Sequence, residues 1–117
     1  MPPKDDPSIA GDVIILRASN HRNLHQTALG IRCSDGVFRS HEVSAFRADK
    51  AAAADVLAEY PQASRIACLT ARDIRDAGSI IDTSEPPRGH VCIYRNPGQR
   101  ISGGAAGQMA KKAQLLP

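Results

Sequence analysis

The stretch Val13-Ile14-Ile15-Leu16 is a continuous aliphatic run made mostly of β-branched residues. It is too short for a helix, and a run of this kind is typical of a strand that is buried on both faces of a sheet. We therefore predict that order begins near Asp12 and that residues 13–16 form a central strand. The other elements are expected to be arranged around this strand.

Before this strand the sequence predicts a disordered tail. Residues 1–10 hold three of the eight prolines together with several charged side chains, and such a composition does not nucleate regular structure. Residues 11–117 are expected to form a single domain, because a chain of 117 residues with 42% apolar residues is long enough for one core. No apolar run approaches the roughly 20 residues that cross a bilayer, so we expect a cytoplasmic protein without a membrane partner.

A β-hairpin is predicted after the first strand. The alternation of Leu29, Ile31 and Cys33 indicates its first strand, and the turn residues 34–36 end in a glycine suited to positive φ. Val37 and Phe38 resume the apolar pattern and are expected in its second strand. The polar residues 19–26 that precede this strand are expected to form a loop or one short helical turn.

Two helices are predicted in the middle of the chain. Asp49 is the expected N-cap of the first helix, which ends before a proline. Its apolar stripe consists of Ala53, Val56, Leu57 and Tyr60. Thr70 and Asp73 have the spacing of a capping box for the second helix, which is predicted over residues 71–77 with Gly78 just past its end.

The C-terminal half is predicted to add strands at residues 79–82 and 90–95, and residues 66–69 fit a strand or a helix entry. A turn at residues 96–98 is expected to close the last strand. A last helix follows Ser102-Gly103-Gly104, with Ala106, Met109, Ala110, Ala113 and Leu116 on one face. The predicted fold class is α+β, with a mixed or mostly antiparallel sheet of about five strands and two main helices on one face.

The three cysteines are predicted to be reduced core thiols. Cys33, Cys68 and Cys92 are odd in number and have no paired spacing, and the last two lie within aliphatic runs. The alternative is a reactive thiolate at Cys92, since His90 is two positions away and would face the same side of a strand.

The charge balance does not single out nucleic acid as a partner. The chain has 15 basic and 12 acidic residues, a net charge of +3, and only 3% aromatic residues. A nucleic-acid-binding protein usually concentrates basic residues on one surface and adds aromatic side chains for stacking. Binding through arginines therefore remains an alternative that requires one shared surface for Arg22, Arg32, Arg39, Arg47 and Arg100.

A metal site is a further alternative. His21 and His25 are four positions apart, which on a helix would direct both imidazoles to the same side, with His41 or His90 as a third ligand. The polar residues around them favour a loop with exposed histidines, so no metal and no cofactor are expected. The glycine-rich residues 102–107 lack the spacing of a phosphate loop and are better explained as a linker before the last helix.

The candidate catalytic residues are Arg17, Ser44 and His90. Arg17 ends the first strand and His90 begins the last one, and strand ends are positions where sites collect. Arginine binds phosphate or carboxylate, histidine transfers a proton near neutral pH, and serine orients either one. The structural interpretation of the same residues is that they are solvated strand ends and turn residues.

The chain also carries a series of short motifs in a defined order. They are the strand 13–17, Ser44-Ala45-Phe46, residues 66–71 with a short helix ending at Gly78, Ile80-Ile81-Asp82 with Glu85-Pro86, Gly89-His90-Val91 and an alanine-rich C-terminal helix. This order resembles a family of small uncharacterised bacterial proteins with Ser-x-Phe and His-hydrophobic strand motifs. The resemblance covers most of residues 12–116, with Val91 in place of an expected alanine. It implies a compact bacterial domain from toxin, conflict or defence neighbourhoods and carries over no catalytic residue.

These observations together predict a small bacterial non-enzymatic module that binds another protein or a second copy of itself. The apolar face of the last helix would be the docking surface if that helix packs loosely. The first alternative is a small nucleotide- or RNA-directed enzyme in which Arg17 holds an anion, Ser44 positions the substrate and His90 acts as acid or base. The second alternative is nucleic-acid binding.

Overall fold

The computed structural model describes residues 3–28, 30–40, 42–95 and 100–116. The strands are β1 (Ile14–Ser19), β2 (Leu24–Thr27), β3 (Gly30–Cys33), β4 (Val43–Arg47), β5 (Arg65–Thr70), β6 (Ser79–Thr83), β7 (His90–Arg95) and β8 (Gln114–Leu115). The helices are α1 (Ala53–Glu59), α2 (Ala71–Asp76) and α3 (Gly103–Lys112), with short 3-10 turns at His21–Asn23 and Asp35–Val37.

Within this described part, six strands form an antiparallel sheet in the order β6-β7-β4-β1-β5-β8, and β2 pairs with β3 separately. The fold is therefore α+β, as predicted, with more strands than expected. The aliphatic run lies in β1, which has β4 on one side and β5 on the other, and this confirms the central strand. Its pairing with β5 extends from Ile14 to Ser19, whereas its pairing with β4 covers only Ile15 and Leu16.

The sheet has an apolar layer on each face. On the side that we call the α3 face, Ile15, Ala45 and Ile93 belong to one buried cluster with Met109 of α3. On the opposite side, which we call the α1 face, Leu16, Phe46 and Ile66 cluster with Val56 of α1. Helices cover both faces of the sheet, whereas the sequence predicted helices on one face only. Both faces are covered because successive residues of β1 and β4 have side chains on opposite faces, and both sets are apolar.

Helix α1 begins later than predicted. The expected N-cap Asp49 instead accepts hydrogen bonds from Arg47 Nε and Nη2 at 2.7 and 2.9 Å. The helix starts after Ala52, whose main-chain N–H donates to Asp55 Oδ2 at 2.8 Å. Val56 of the predicted stripe is buried, but Leu57 is 42% exposed because only one side of this short helix meets the sheet.

The predicted capping box of α2 is confirmed. Asp73 N donates to Thr70 Oγ1 at 3.1 Å, and Thr70 N donates to Asp73 Oδ2 at 3.4 Å. Gly78 has φ +84° and follows the end of the helix, as its position in the sequence predicts.

A hairpin is present, but its turn is not at the predicted position. The turn lies between Thr27 and Gly30, where Gly30 has φ +108°, and not at residues 34–36. Leu29 lies outside the described residues. Residues 35–37 form a 3-10 turn, because burial of Val37 and Phe38 draws this segment onto the core instead of into a strand. The polar residues 24–27, expected in a loop, supply the other strand of the hairpin.

The N-terminal segment is packed, so the prediction of a loose tail is wrong for residues 5–9. Ile9 is fully buried, and its carbonyl accepts from Arg75 Nη1 at 2.7 Å. Asp6 N donates to Ile81 O at 2.7 Å, and Ile81 N donates to Asp5 Oδ1 at 2.9 Å. The segment thus pairs with the main chain of the outer strand β6, whose edge would otherwise present unpaired groups.

The predicted C-terminal helix is present as α3, but its bounds differ from the prediction: it begins at Gly103, so residues 103–107 belong to the helix and not to a linker, and it ends at Lys112, before Leu116. Ser102 Oγ accepts from Ala105 N at 3.3 Å as its N-cap. Ala106 and Met109 are fully buried against the sheet. None of the helices in the described ranges is long and apolar enough to cross a membrane. The predicted closing turn at residues 96–98 lies outside the described residues.

Candidate functional site

The site lies on the α1 face, where β4 and β7 pair. Ser44 is opposite Cys92 and Phe46 is opposite His90, so Ser44 and His90 are diagonal neighbours on one side of the sheet. Ser44 Oγ is hydrogen bonded to His90 Nε2 and lies 2.6 Å from the hydroxyl oxygen of Tyr60. The three side chains form a hydrogen-bonded chain that runs from the end of α1 to the start of β7.

The contact of the second ring nitrogen of His90, Nδ1, determines the direction of each hydrogen bond in this chain. His90 Nδ1 is 2.9 Å from the main-chain oxygen of Ser84, and a carbonyl oxygen only accepts. Nδ1 therefore carries the proton, and Nε2 accepts the proton of the Ser44 hydroxyl. Because that proton is directed at His90, Tyr60 is the donor to Ser44 Oγ.

The turn before β7 holds the imidazole in place. Gly89 has φ +81°, and its N–H donates to Glu85 Oε2 at 2.7 Å. Its carbonyl accepts from Arg47 N at 2.9 Å, which ties the turn to β4. The ring of Phe46 meets the His90 ring edge-on, with centroids 5.2 Å apart.

A hydroxyl that donates to a neutral imidazole, which in turn donates to a fixed acceptor, is the arrangement of an activated nucleophile. In this chain the Ser84 carbonyl takes the orienting position that a carboxylate holds in many such sites. Ser44, Tyr60 and His90 are all partly exposed, so a ligand can reach them.

Arg17 does not share this face. It lies opposite Ala67 of β5, whose side chain belongs to the cluster of the α3 face. Its Nη1 donates to the Ser44 carbonyl at 2.7 Å and its Nε donates to the Val37 carbonyl at 3.1 Å. The β1–β4 ladder ends just before Ser44, so the guanidinium supplies the donor that the ladder does not.

Arg17 therefore supports the Ser44 main chain from behind instead of facing His90 across a cleft. Of the three candidate residues, the structure brings together the side chains of Ser44 and His90, whereas that of Arg17 lies on the other face of the sheet. Burial lowers the pKa of Arg17, since the charged form loses hydration.

A cavity of about 620 Å³ adjoins the site. Its wall includes Arg17, Asn20 and Arg22 from the end of β1 and the segment after it, and Glu59, Tyr60 and Gln62 from the end of α1. Tyr60 belongs to both the cavity and the Ser44–His90 pair, so the cavity and the pair meet at its side chain.

The helical histidine pair is not formed. His21 begins a 3-10 turn, whereas His25 lies on β2 opposite Arg32, so the two residues do not share a helix. The side chain of His21 and the whole of His41 lie outside the described residues. Among the residues that the structure describes, no three histidine, cysteine or acidic side chains are grouped in a way that could hold a metal ion.

The cysteines are free thiols, and burial raises the pKa of Cys33, Cys68 and Cys92. Cys33 and Cys92 are buried, and Cys68 is half-buried, which is close to the core role predicted for them. Both ring nitrogens of His90 are already hydrogen bonded to Ser44 and Ser84, so neither is available to deprotonate Cys92.

Of the five arginines named for nucleic-acid binding, Arg47 is not free to contribute. Arg47 is only 8% exposed and is held by both carboxylate oxygens of Asp49, and this hydrogen bonding raises the pKa of Arg47. Arg39 lies 3.8 Å from Asp35, while Arg22 is on the wall of the cavity.

Sequence reasoning did not find Tyr60 or the Ser84 carbonyl as members of the site. Tyr60 was predicted only as part of an apolar helix face, and its position directly after α1 is the single signal that its hydroxyl could reach another element. A main-chain acceptor such as Ser84 leaves no signal in residue identity.

Comparison of the chain with protein-family models, with curated proteins and with solved structures finds no match. The resemblance to small bacterial defence-associated domains therefore stays a prediction. The functional argument depends on the geometry of the site.

Proposed function

We propose that this chain is a small enzyme in which Ser44 is the nucleophile and His90 is its general base. The observation that carries the proposal is the directed chain of hydrogen bonds from Tyr60 to Ser44, from Ser44 to His90 and from His90 to the Ser84 carbonyl. Ser44 and His90 each have a hydrogen-bond partner on both sides, so in the neutral form of His90 the proton of Ser44 is directed at Nε2.

The proposed reaction is transfer of an acyl or phosphoryl group through the serine. Ser44 Oγ forms a bond to the electrophilic carbon or phosphorus while its proton passes to His90 Nε2. The bond to the leaving group breaks, and the leaving group takes that proton from Nε2. Water then attacks the serine ester, gives its proton to Nε2, and Ser44 Oγ departs and regains the proton.

Tyr60 and Ser84 have supporting roles in this proposal. The Tyr60 hydroxyl donates to Ser44 Oγ and stabilises the negative charge that develops there, first as the serine proton passes to His90 and again when the serine oxygen departs. The Ser84 carbonyl accepts from Nδ1 and stabilises the imidazolium form of His90.

The rival hypothesis of a protein-interaction module loses its positive support. The docking surface it proposed required a loosely packed terminal helix, but Ala106 and Met109 of α3 are fully buried within this chain. The apolar face of α3 is thus occupied by the core. The three free cysteines are compatible with the reducing cytoplasm that the proposal assumes.

A fluorophosphonate reagent tests the proposal directly, because an activated serine displaces its fluoride and keeps the phosphonyl group. We expect intact-mass and peptide analysis to place one label on Ser44, and none to form in Ser44→Ala. Ser64→Ala is the matched control, since Ser64 is exposed and distant from the pair along the chain. Labelling of Ser44 that is no faster than labelling of Ser64 would contradict the proposal.

A further inference from the structure

We infer that the cavity beside Tyr60 binds an oxyanion, a phosphate or a carboxylate, of the molecule on which Ser44 acts. The link to Ser44 rests on the proposed function, whereas anion binding itself does not. Three potential donors to such an anion, Arg17, Arg22 and Asn20, lie on the wall of this cavity.

Arg17 is a poorly hydrated cation without a compensating carboxylate. Among the described residues, the ion pairs are formed by Arg39, Arg47, Lys50 and Arg75, and none includes Arg17. The partners of Arg17 are two neutral carbonyls, which satisfy Nε and Nη1 but leave its charge uncompensated. A buried charge in that state is unfavourable unless a ligand of opposite sign neutralises it.

Two further donors lie on the same wall. Arg22 is exposed and lies within the 3-10 turn, His21–Asn23, that follows β1. Its main-chain N–H donates to Asn20 Oδ1 at 3.0 Å, so the amide oxygen of Asn20 is occupied and its NH2 group is the end left to face a ligand. The wall carries the guanidinium groups of Arg17 and Arg22 and one carboxylate, that of Glu59, so its net charge is positive.

The size and position of the cavity suit a small organic anion. A volume of about 620 Å³ lies within the range of small-molecule sites. Tyr60 borders this cavity, and its hydroxyl oxygen is 2.6 Å from Ser44 Oγ. Arg17 leaves the sheet on the α3 face but also lines this wall, at the end of β1, together with Arg22. An anionic group held at the wall would therefore leave a neighbouring part of the same molecule near Tyr60, and through Tyr60 near the nucleophile.

Isothermal titration of the whole chain with pyrophosphate and with succinate, at constant ionic strength, tests the inference. We expect at least one of the two anions to bind, and the comparison of the two distinguishes a phosphate from a carboxylate site. Arg22→Gln should weaken binding about tenfold, the effect of losing one hydrogen bond to a charged group. The exposed residue Arg72 on α2 provides the control, and Arg72→Gln should bind as the unmodified chain does.

The variant Arg17→Lys provides a second test. It retains the positive charge but loses the planar guanidinium group with its several N–H donors, so it should also weaken binding. Binding of neither anion, or equal losses in Arg22→Gln and Arg72→Gln, would overturn the inference. Ser44→Ala should bind as well as the unmodified chain. Anion binding without fluorophosphonate labelling would thus reject only the proposed function, and labelling without anion binding would reject only the present inference.

Discussion

Ser44 Oγ is hydrogen bonded to His90 Nε2 although 46 positions separate the two residues in the chain. The contact exists because β4 and β7 pair with Phe46 opposite His90, which places Ser44 diagonally next to the imidazole. A shift of this register by one residue would move Ser44 to the α3 face and away from His90. The proposed chemistry is therefore a property of the strand pairing.

Replacement of His90 should slow the reaction of Ser44. Glutamine keeps hydrogen-bonding groups but cannot accept the serine proton as a base, so His90→Gln should lower the rate of fluorophosphonate labelling by about 100-fold or more. The rate is measured by intact mass against time, with thermal unfolding to verify the fold. An unchanged rate in a folded variant would remove His90 from the proposed role.

Tyr60→Phe should affect both stability and reactivity. The substitution removes the donor to Ser44 Oγ, so we expect a loss of about 1 kcal/mol in the free energy of unfolding and about tenfold slower labelling. Tyr94→Phe is the matched control, because the Tyr94 hydroxyl donates to Glu42 Oε2 at 2.8 Å, outside the site. The control should lose stability at most and label at the normal rate; equal rates in both variants would contradict a role for Tyr60.

Asp6 should make the packing of the N-terminal segment dependent on pH. Hydrogen bonds from Ser8 and Thr83 lower the pKa of Asp6 from 3.8 to about 2. The contribution of the Asp6 carboxylate to the free energy of unfolding is thus complete above about pH 3.8 and is lost as the pH falls towards 2. Asp6→Asn should cost about 1 kcal/mol at neutral pH, after allowance for solvent screening, and the difference from the unmodified chain should vanish near pH 2.

Urea unfolding at several pH values measures this difference. Asp12→Asn is the control, since Asp12 is an exposed carboxylate near the same end of the chain. A cost for Asp6→Asn that stays constant from neutral pH down to pH 2 would show that the carboxylate charge is not what stabilises the segment.

Met109→Ala should destabilise the chain strongly. Met109 is fully buried between α3 and the sheet, so truncation leaves a cavity and should cost about 2–5 kcal/mol by chemical denaturation. The exposed neighbour Gln108, changed to alanine, should have almost no effect. A small cost for Met109→Ala would mean that α3 is loosely attached, and it would restore the interaction-module hypothesis.

Two glycine-to-alanine substitutions should have opposite signs. Gly89 has φ +81°, and a Cβ there would lie 3.1 Å from the Cβ of Ala51, so Gly89→Ala should cost about 1 kcal/mol or more and displace His90. Gly107 lies inside α3 with no atom within 4 Å of an added Cβ, so Gly107→Ala should stabilise the chain by about 0.5–1 kcal/mol. Thermal unfolding measures both; stabilisation by Gly89→Ala would contradict the described turn.

Local patterns in the sequence were sufficient where a short segment contained both partners of an interaction. The central strand follows from Val13-Ile14-Ile15-Leu16, and the start of α2 follows from Thr70 and Asp73, whose reciprocal hydrogen bonds span three residues. Patterns failed where an interaction outside the pattern competed with the predicted one. Asp49 looked like an N-cap but binds Arg47, and Val37 looked like a strand residue but is drawn into the core.

The α+β class and the candidates Ser44 and His90 could be derived from the sequence alone, because residue identity determines burial preference and chemical capability. The choice among those candidates depended on the tertiary structure. Pairing of β4 with β7 brings Ser44 to His90, while pairing of β1 with β5 directs Arg17 to the other face. Strand register and main-chain acceptors such as the Ser84 carbonyl are set by packing over the whole chain, so no local pattern encodes them.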